Sequence, residues 1–536
     1  MKLLLLPLLV CLGLPAFSQL NTTLRANLDF GVNVNDVWGY VAPDGTEYAL
    51  VGLDTGVAVV SLANPDEPRL VGVTSGVRST WRDMKTYGQY GYAVADQPGT
   101  QEGLTVIDLH ALPDTFAVSY IKDTVPNTRR PFYRGHNLYI DTLNGLLYTS
   151  GGDGNLNAGG MLIWDLKADP AHPRRIAQGP AVYSHDVFVQ DGIMYASEIY
   201  QGVLALYDVS DIQQITKLGQ VQTPYLFTHN AWANADNSLV FTTDEKANAS
   251  VAAYDVSDPS DIRLLDEYRP LASLNTATIP HNVHVIDNYL SISYYTDGLR
   301  VVDASVPTNL VEVANYDTWP GENGNYNGNW GAYPFLPSGL TLVSDRSTGL
   351  YVIEVNYLRA ARLTGTVTDR MGGGAINAAV VQILAEQLNA TTTDAVGQYA
   401  TGIATAGTYR VAVSAPGYEA DTLNVTLANG VTTELNVALL DTGSVATSVP
   451  LLNDELVRAE LFPNPTVSDA TLSYELRSLT QAELRVYATT GVLLRQQPLR
   501  QPSGTVSLAA DLLPGVYIVQ LLGEGRPMRT VRLVKM

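Results

Sequence analysis

Apolar residues recur along the first two thirds of the chain in one five-residue pattern. Leu104-Thr105-Val106-Ile107-Asp108 is apolar at positions one, three and four and acidic at position five. Six further segments repeat it: Val57 to Ser61, Met161 to Asp165, Leu204 to Asp208, Val251 to Asp255, Leu299 to Asp303 and Leu350 to Glu354. Ser61 is the one non-acidic ending. Short apolar runs of this kind predict strands buried on both faces, here each closed by a carboxylate. The copies return about every 50 residues, a period that implies one supersecondary unit repeated around a propeller. Turn clusters such as Asn64-Pro65-Asp66-Glu67-Pro68 and Ser257-Asp258-Pro259 mark the step to an outer strand. The reading is all-β, with a seven-bladed β-propeller over residues 19–357 followed by two small β-sandwich domains. The last copy runs into Asn356 without an outer strand of its own, while Leu24 to Phe30 reads as a strand with no partner near it. That segment is expected to close the last blade, because closure removes an exposed sheet edge.

The repeat stops near residue 359. Beyond it, Leu363 to Asp369, Ala379 to Ile383 and Gly407 to Val411 alternate with turns. The region 360–440 resembles the carboxypeptidase-regulatory-like domain through Gly365-Thr366-Val367, the turn Thr393 to Tyr399 and Gly417-Tyr418. The resemblance implies a small sandwich of about 80 residues and no catalysis. A polar stretch, 441–456, reads as a linker. The region 457–536 resembles the type IX secretion C-terminal sorting domain through Phe462-Pro463-Asn464-Pro465, Leu513-Pro514-Gly515-Val516-Tyr517 and its basic tail. One departure is Ala488, which stands where that family has Asp or Asn after Tyr487. The resemblance implies export across an outer membrane, with the secretion machinery as partner and removal of the domain on arrival.

Met1-Lys2, the apolar run Leu3 to Leu14 and Ala16-Phe17-Ser18 read as a secretory signal peptide over residues 1–18. A lipoprotein reading would use Cys11, but Val10 stands where a small residue is expected. Cys11 is the one cysteine, so an exported mature chain would carry no disulfide. With 32 Lys and Arg against 53 Asp and Glu, the formal charge is -21, which repels phosphate backbones and argues against nucleic acid as a partner. No later segment reads as a transmembrane span.

Candidate chemistry rests on histidine. Four of the seven occupy one repeat-equivalent position, about 25 residues before a five-residue copy: His136, His185, His229 and His281, in Gly-His-Asn, Ser-His-Asp, Thr-His-Asn and Pro-His-Asn. The other blades carry Asn35-Asp36, Arg82-Asp83 and Trp330-Gly331 there. First strands line a propeller's channel, so these positions are expected to converge at one mouth. Neutral imidazoles there could hold zinc or copper with a position open to water. Two other readings stand beside this one. In one, the histidines are structural, each bonded inside its own blade with the acidic strand ends as partners. In the other, they form a bare binding rim with Asp36, Arg82, Asp83, Asn137, Asp186, Asn230, Asn282 and Trp330. Ser184-His185-Asp186 is not expected to act as a triad, since strand neighbours point to opposite faces. His284 is expected to face the channel, and His110 and His172 to lie solvated in turns. Asp153, Asn155 and Asn157 space oxygens as a calcium loop does, but Ala158 and Trp164 replace its glycine and glutamate. Gly321 to Asn329, polar and bearing Tyr326, would suit sugar contacts beside Trp330.

With the five-residue copies, the run Trp81-Arg82-Asp83-Met84-Lys85 and the histidine column together, residues 20–357 resemble the LVIVD-repeat proteins of the choice-of-anchor B family. The resemblance implies a surface or released propeller and no particular reaction. The expected function is binding of a protein or carbohydrate at the outer cell surface or beyond it. The alternative is a metal-dependent hydrolase or oxidoreductase using the four histidines.

Overall fold

The repeated five-residue segments are the third strands of antiparallel four-stranded sheets. A computed structural model describes residues 19–97, 102–125, 130–152, 161–442, 456–477, 482–489, 491–523 and 526–536. The expected signal peptide, Asp153, Asn155 and Asn157, and most of the expected linker lie outside the described residues. Among the described residues the regular structure is strand, apart from one 3₁₀ turn at Leu271–Ser273.

Among the described residues, seven sheets of four or five strands occupy the region of the repeat in a propeller-like series, with one two-stranded pair, Thr124–Val125 on Arg130–Pro131, beside them. Their first strands are Val34–Val41, Arg82–Tyr87, Asn137–Asp141, Asp186–Gln190, Thr228–Ala233, Val283–Ile286 and Asn329–Tyr333. Each first strand touches the next, and the last touches the first. In the first six sheets the strands lie in chain order. The seventh takes its outermost strand from the N-terminal region: Thr22–Leu28 runs antiparallel on Gly349–Val355. The paired stretch begins and ends two residues earlier than the alternation from Leu24 to Phe30 suggests. Gln19–Leu20 adds a fifth strand to the sixth sheet, on Val311–Tyr316.

The third strands are buried on both faces because neighbouring sheets sandwich them. Leu104, Val106 and Ile107 are all at most 2% exposed. One cluster joins Tyr92 and Val106 of the second sheet to Leu138 and Trp164 of the third. Another joins Val51 and Ala58 of the first sheet to Leu342 and Val352 of the seventh. Covering a large apolar side chain in this way contributes roughly 1.5–3 kcal/mol. The acidic fifth position has a local cause: its carboxylate accepts the backbone N–H two residues on and starts the turn to the outer strand. Asp108 does so to His110 at 3.0 Å, Asp208 to Ser210 at 2.9 Å and Asp255 to Ser257 at 3.0 Å. The departure at Ser61 keeps the geometry with a hydroxyl, which accepts from Ala63 N–H at 3.4 Å.

Asp303 does more. Fully buried, it accepts from Arg362 Nη1 at 2.9 Å, Arg359 Nη1 at 3.0 Å and Ala360 N–H at 2.8 Å, tying the sixth sheet to the following region. Burial alone would raise its pKa, but the Arg362 hydrogen bond and the backbone donors outweigh it and hold the carboxyl at about 2. That region is built from Ala361–Asp369 with Gln398–Ile403, Thr432–Glu434 and Val437–Leu439, and from Thr391–Thr392, Val380–Leu384, Gly407–Ser414 and Asp421–Leu427. Leu363, Val367, Val381, Ile383, Val411 and Val413 form the core between these strands. It belongs to the same compact unit as the preceding sheets. A second unit begins at Gly443. Its three-stranded sheet (Leu456–Phe462, Thr471–Leu476, Ser503–Ser507) and four-stranded sheet (Leu493–Pro498, Ala482–Ala488, Gly515–Gly523, Arg526–Lys535) share a core of Leu472, Leu484, Val506, Val519 and Leu533.

Removing one partner from a buried ion pair leaves the other charge uncompensated. Asp303→Asn is therefore expected to cost roughly 3–5 kcal/mol of stability. Asp255→Asn, in the same turn position but without a buried partner, is expected to leave stability far less affected. Denaturant unfolding of the full chain monitored by tryptophan fluorescence measures both; equal costs would show that Asp303 anchors nothing.

Candidate functional site

The first strands stack their side chains in three tiers along the axis of the series. Residues two apart on a strand share a face, so Asp36, Asp83, Asn137, Asp186, Asn230 and Asn282 form one tier. Trp38, Lys85, Tyr139, Phe188, Trp232, His284 and Tyr333 form the next. The preceding residues, among them Arg82, the four histidines and Trp330, form the tier at the mouth. The tier of Trp38, Phe188 and Trp232 is an aromatic plug: Trp38 meets Tyr333 edge-on at 4.7 Å, Phe188 meets Trp232 at 4.3 Å, Trp232 meets His284 at 4.6 Å, and Phe335 stacks on Trp232 at 5.7 Å. Lys85 Nζ lies 4.4 Å from the Trp38 ring and reaches up to Asp83 at 2.5 Å and Asp36 at 3.6 Å. Burial alone would lower the Lys85 pKa, but the two carboxylates raise it above the ordinary lysine value. Asp36 is raised well above the carboxylate range by burial, with Asp83 adding to the effect. Gly331 makes room for it, since a Cβ there would stand 2.3 Å from Asp36 Oδ1.

Above the plug lies a small cavity of about 30 Å³, lined by Asp36, Trp81, Arg82, Asp83, His136, Asn137, His185, Asp186, His229, His281, Asn282 and Trp330. That is room for one water-sized occupant. The four imidazoles form a row, with successive ring centres 4.1, 4.3 and 4.4 Å apart and Trp330 a further 4.7 Å beyond His281. Their hydrogen bonds run between sheets. His229 Nδ1 lies 2.9 Å from the His281 carbonyl, and His281 Nδ1 lies 2.6 Å from the Trp330 carbonyl. A carbonyl only accepts, so both Nδ1 atoms carry a proton, and in the neutral form of each ring Nε2 is the atom with the lone pair. His136 Nδ1 pairs with Asp96 Oδ2 of the second sheet at 2.8 Å. The expectation of bonds within each blade to the acidic ends of the third strands is thereby corrected: the partners are the next sheet's backbone or the preceding sheet's Asp96. Burial pushes His185 and His281 well below the ordinary imidazole value, and neighbouring imidazoles add to it. Both rings are neutral at neutral pH.

His185 and Asp186 line the same cavity although they are adjacent, because His185 stands just ahead of the first paired residue of its strand. The opposite-face argument fails at that position, but Ser184 Oγ is buried without a hydrogen-bond partner, so no Ser–His pair forms. Arg82 is a structural residue: its guanidinium is fully buried against Glu102 at 2.7 Å and the carbonyls of Leu53 at 3.1 Å and Val77 at 2.7 Å. Asn230 clasps neighbours, donating to Asp186 Oδ2 at 2.8 Å and accepting from Val283 N–H at 3.0 Å. Asp83 Oδ2 accepts from Leu138 N–H at 2.8 Å in the same manner. His284 lies in the plug, and His110 and His172 are exposed beside Asp108 and Asp169. Tyr326 is half exposed and meets Tyr295 edge-on at 5.4 Å.

The four histidines are not gathered around one point. Ligand atoms come within 4.8 Å of one another in two overlapping trios, His185 with Asp186 and His229, and His229 with Glu245 and His281. Glu245 escaped the sequence reading. It is the residue just after the second strand of the fifth sheet, Leu239–Asp244. Asp54, Asp96 and Arg346 hold that place in three other sheets, a recurrence of charged residues that could have drawn attention to it. A larger groove of about 470 Å³ lies against Arg300, Glu312, Gln387 and Thr401. Its Arg300 is already paired, with Asp297 at 2.6 Å and with Glu312 at 3.2 Å.

Residues 362–440 match the carboxypeptidase regulatory-like domain. Residues 280–318 match the LVIVD repeat, a stretch that runs from Pro280-His281-Asn282 through the third strand Leu299–Asp303. No curated protein matches the chain. Among solved structures, a protein from Lactobacillus plantarum is similar over 68% of this chain and 97% of its own, at 11% identity and a TM-score of 0.45. Among the described residues no helix is long and apolar enough to cross a membrane.

Burial lowers the pKa of His284 to about 3, and the Lys85 charge adds to the effect while Asp83 opposes it. The unfolded chain binds the proton near pH 6.5, so between these values it takes up more protons than the folded chain, and stability rises with pH across that window. The contribution is intact above pH 6.5 and is expected to drop by about 1.4 kcal/mol per unit below it, levelling near 3. Unfolding free energies of the native chain and His284→Phe across that range give the difference; parallel curves would contradict the assignment.

Proposed function

We propose that residues 19–357 are a seven-bladed β-propeller of the LVIVD-repeat, choice-of-anchor B kind, whose histidine-lined mouth is a binding surface for a protein or carbohydrate ligand outside the cell. In this reading the signal peptide at 1–18 starts export. Residues 360–440 are a sandwich that spaces the propeller from its anchor. Residues 457–536 are a second sandwich that hands the chain to the type IX secretion machinery. The observation that carries the binding role is the polar tier lying directly on the aromatic plug. A channel stopped by Trp38, Phe188, Trp232 and Phe335 is no conduit, and a cavity of about 30 Å³ cannot enclose a substrate. What remains is a shallow mouth lined by the buried Trp330, with the half-exposed ring of Tyr326 beyond it to stack on a sugar or an extended peptide. The neutral imidazoles favour a second reading, a metal-dependent enzyme at the same mouth.

Glycan and peptide arrays probed with the full chain test the first reading. A ligand class retained by His172→Gln and weakened about tenfold or more by Tyr326→Ala is the expected result, since one lost stacking contact contributes roughly 1–2 kcal/mol. Binding untouched by any change at the mouth would sink the assignment. For export, a chain truncated before residue 457 is expected to stay in the periplasm of a host with type IX secretion, while the full chain reaches the surface or medium. Surface delivery of the truncated chain would remove the sorting role.

A further inference from the structure

We infer that the mouth holds one divalent first-row transition ion, of the zinc type, on His229 Nε2, His281 Nε2 and Glu245 Oε2, with a fourth position open to the cavity. This rests on the mouth being the functional surface and names what that surface contains. One ligand atom from each residue lies within 4.8 Å of the other two, and His229 Nε2 and Glu245 Oε2 are 3.9 Å apart. Ligands bonded at 2.0–2.1 Å to a tetrahedral ion stand about 3.3 Å apart, so the His229–Glu245 pair has to close by roughly 0.6 Å and the other pairs by at most about 1.5 Å. Glu245 is the least buried of the three and able to do so.

The atoms not offered to the ion are already held. His229 Nδ1 donates to the His281 carbonyl, His281 Nδ1 donates to the Trp330 carbonyl, and the Tyr295 hydroxyl donates to Glu245 Oε1 at 2.6 Å. This outer shell fixes tautomer and orientation as metal-bound imidazoles and carboxylates require. An independent observation points to an occupant: Asp186 Oδ1 is buried without a hydrogen-bond partner, and Asp186 lines the cavity on which the fourth position opens. Buried polar atoms seldom go unsatisfied, and water carried on an ion would serve them. The competing trio is less prepared. Asp186 Oδ2 is engaged by Asn230, although the trio shares His229 with the first. One ion on the Glu245 side is therefore the better-supported stoichiometry. Three nitrogen and oxygen ligands with an open fourth position are the pattern of ions that activate a bound water or ligand.

The test is titration of the full chain, dialysed against chelator, with zinc, and with cobalt as the optical probe. The expected result is one equivalent of zinc bound at about micromolar Kd or tighter, with the visible absorption of four-coordinate cobalt. Glu245→Gln is expected to weaken zinc at least tenfold. Tyr295→Phe keeps the ring and loses only the orienting hydroxyl, and is expected to weaken it by about 10–100-fold. His172→Gln, exposed and remote from the mouth, is expected to bind as the native chain does. Absence of zinc binding at about 100 μM would overturn the inference, as would native affinity in Glu245→Gln. The array experiment is read separately, so a metal-free mouth would leave the ligand-binding reading standing.

Discussion

Everything in the region of the repeat depends on third strands that have no polar face. A strand such as Leu104–Asp108, apolar on both sides, is stable only with a sheet packed against each side of it. Each sheet therefore requires two neighbours, and a row of sheets has two unsatisfied ends unless the last meets the first. The shared cluster of Val51 and Ala58 with Leu342 and Val352 is where those ends meet. The pairing of Thr22–Leu28 on Gly349–Val355 secures the same seam, since the seventh sheet draws its edge from the opposite end of the sequence and cannot leave without breaking that pairing.

Once the sheets are arranged in this way, their first strands converge on an axis, and the space there is fixed by backbone rather than by side-chain choice. The side chains fill what the geometry leaves. Large rings occupy the lower tier, carboxylates and amides the next, and Gly331 stands where Asp36 needs its room. Burying Asp36, Asp83 and Lys85 together below the mouth is tolerable because Lys85 lies between the two carboxyl groups. A narrow polar pocket on an aromatic floor is thus a consequence of the packing, and the identity of the residues at its rim decides its chemistry.

Much of this was legible in the sequence because it repeats. The third strands announced themselves by composition, the turn carboxylates by position, and the histidines by their recurrence ahead of Asn or Asp. What was not legible arises once only, from residues brought together across sheets. Arg82 looks like a rim residue until Glu102, on a neighbouring loop, takes its charge. Glu245 has no counterpart glutamate in the other sheets, and its tie to Tyr295 spans 50 residues. Asp303 differs from Asp108 and Asp255 through Arg359 and Arg362, which lie beyond the end of the repeat. Local pattern reports what every unit must do; departures from it are set by long-range neighbours that no window of sequence contains.

The choice between structural and ligating histidines, which the sequence left open, dissolves at the level of individual atoms. The bond from His229 Nδ1 to the His281 carbonyl fastens the fifth sheet to the sixth, and the bond from His281 Nδ1 to the Trp330 carbonyl fastens the sixth to the seventh. Those same bonds place a proton on Nδ1 and, in the neutral ring, leave Nε2 unprotonated. An imidazole used as a cross-sheet clasp is thereby presented as a ligand with its tautomer already chosen, and the cost of orienting it has been met by folding. Exchange for glutamine could keep the clasp through its amide N–H yet offer no imidazole nitrogen to an ion. The architecture alone would accept either side chain at these positions; only a role for Nε2 distinguishes them.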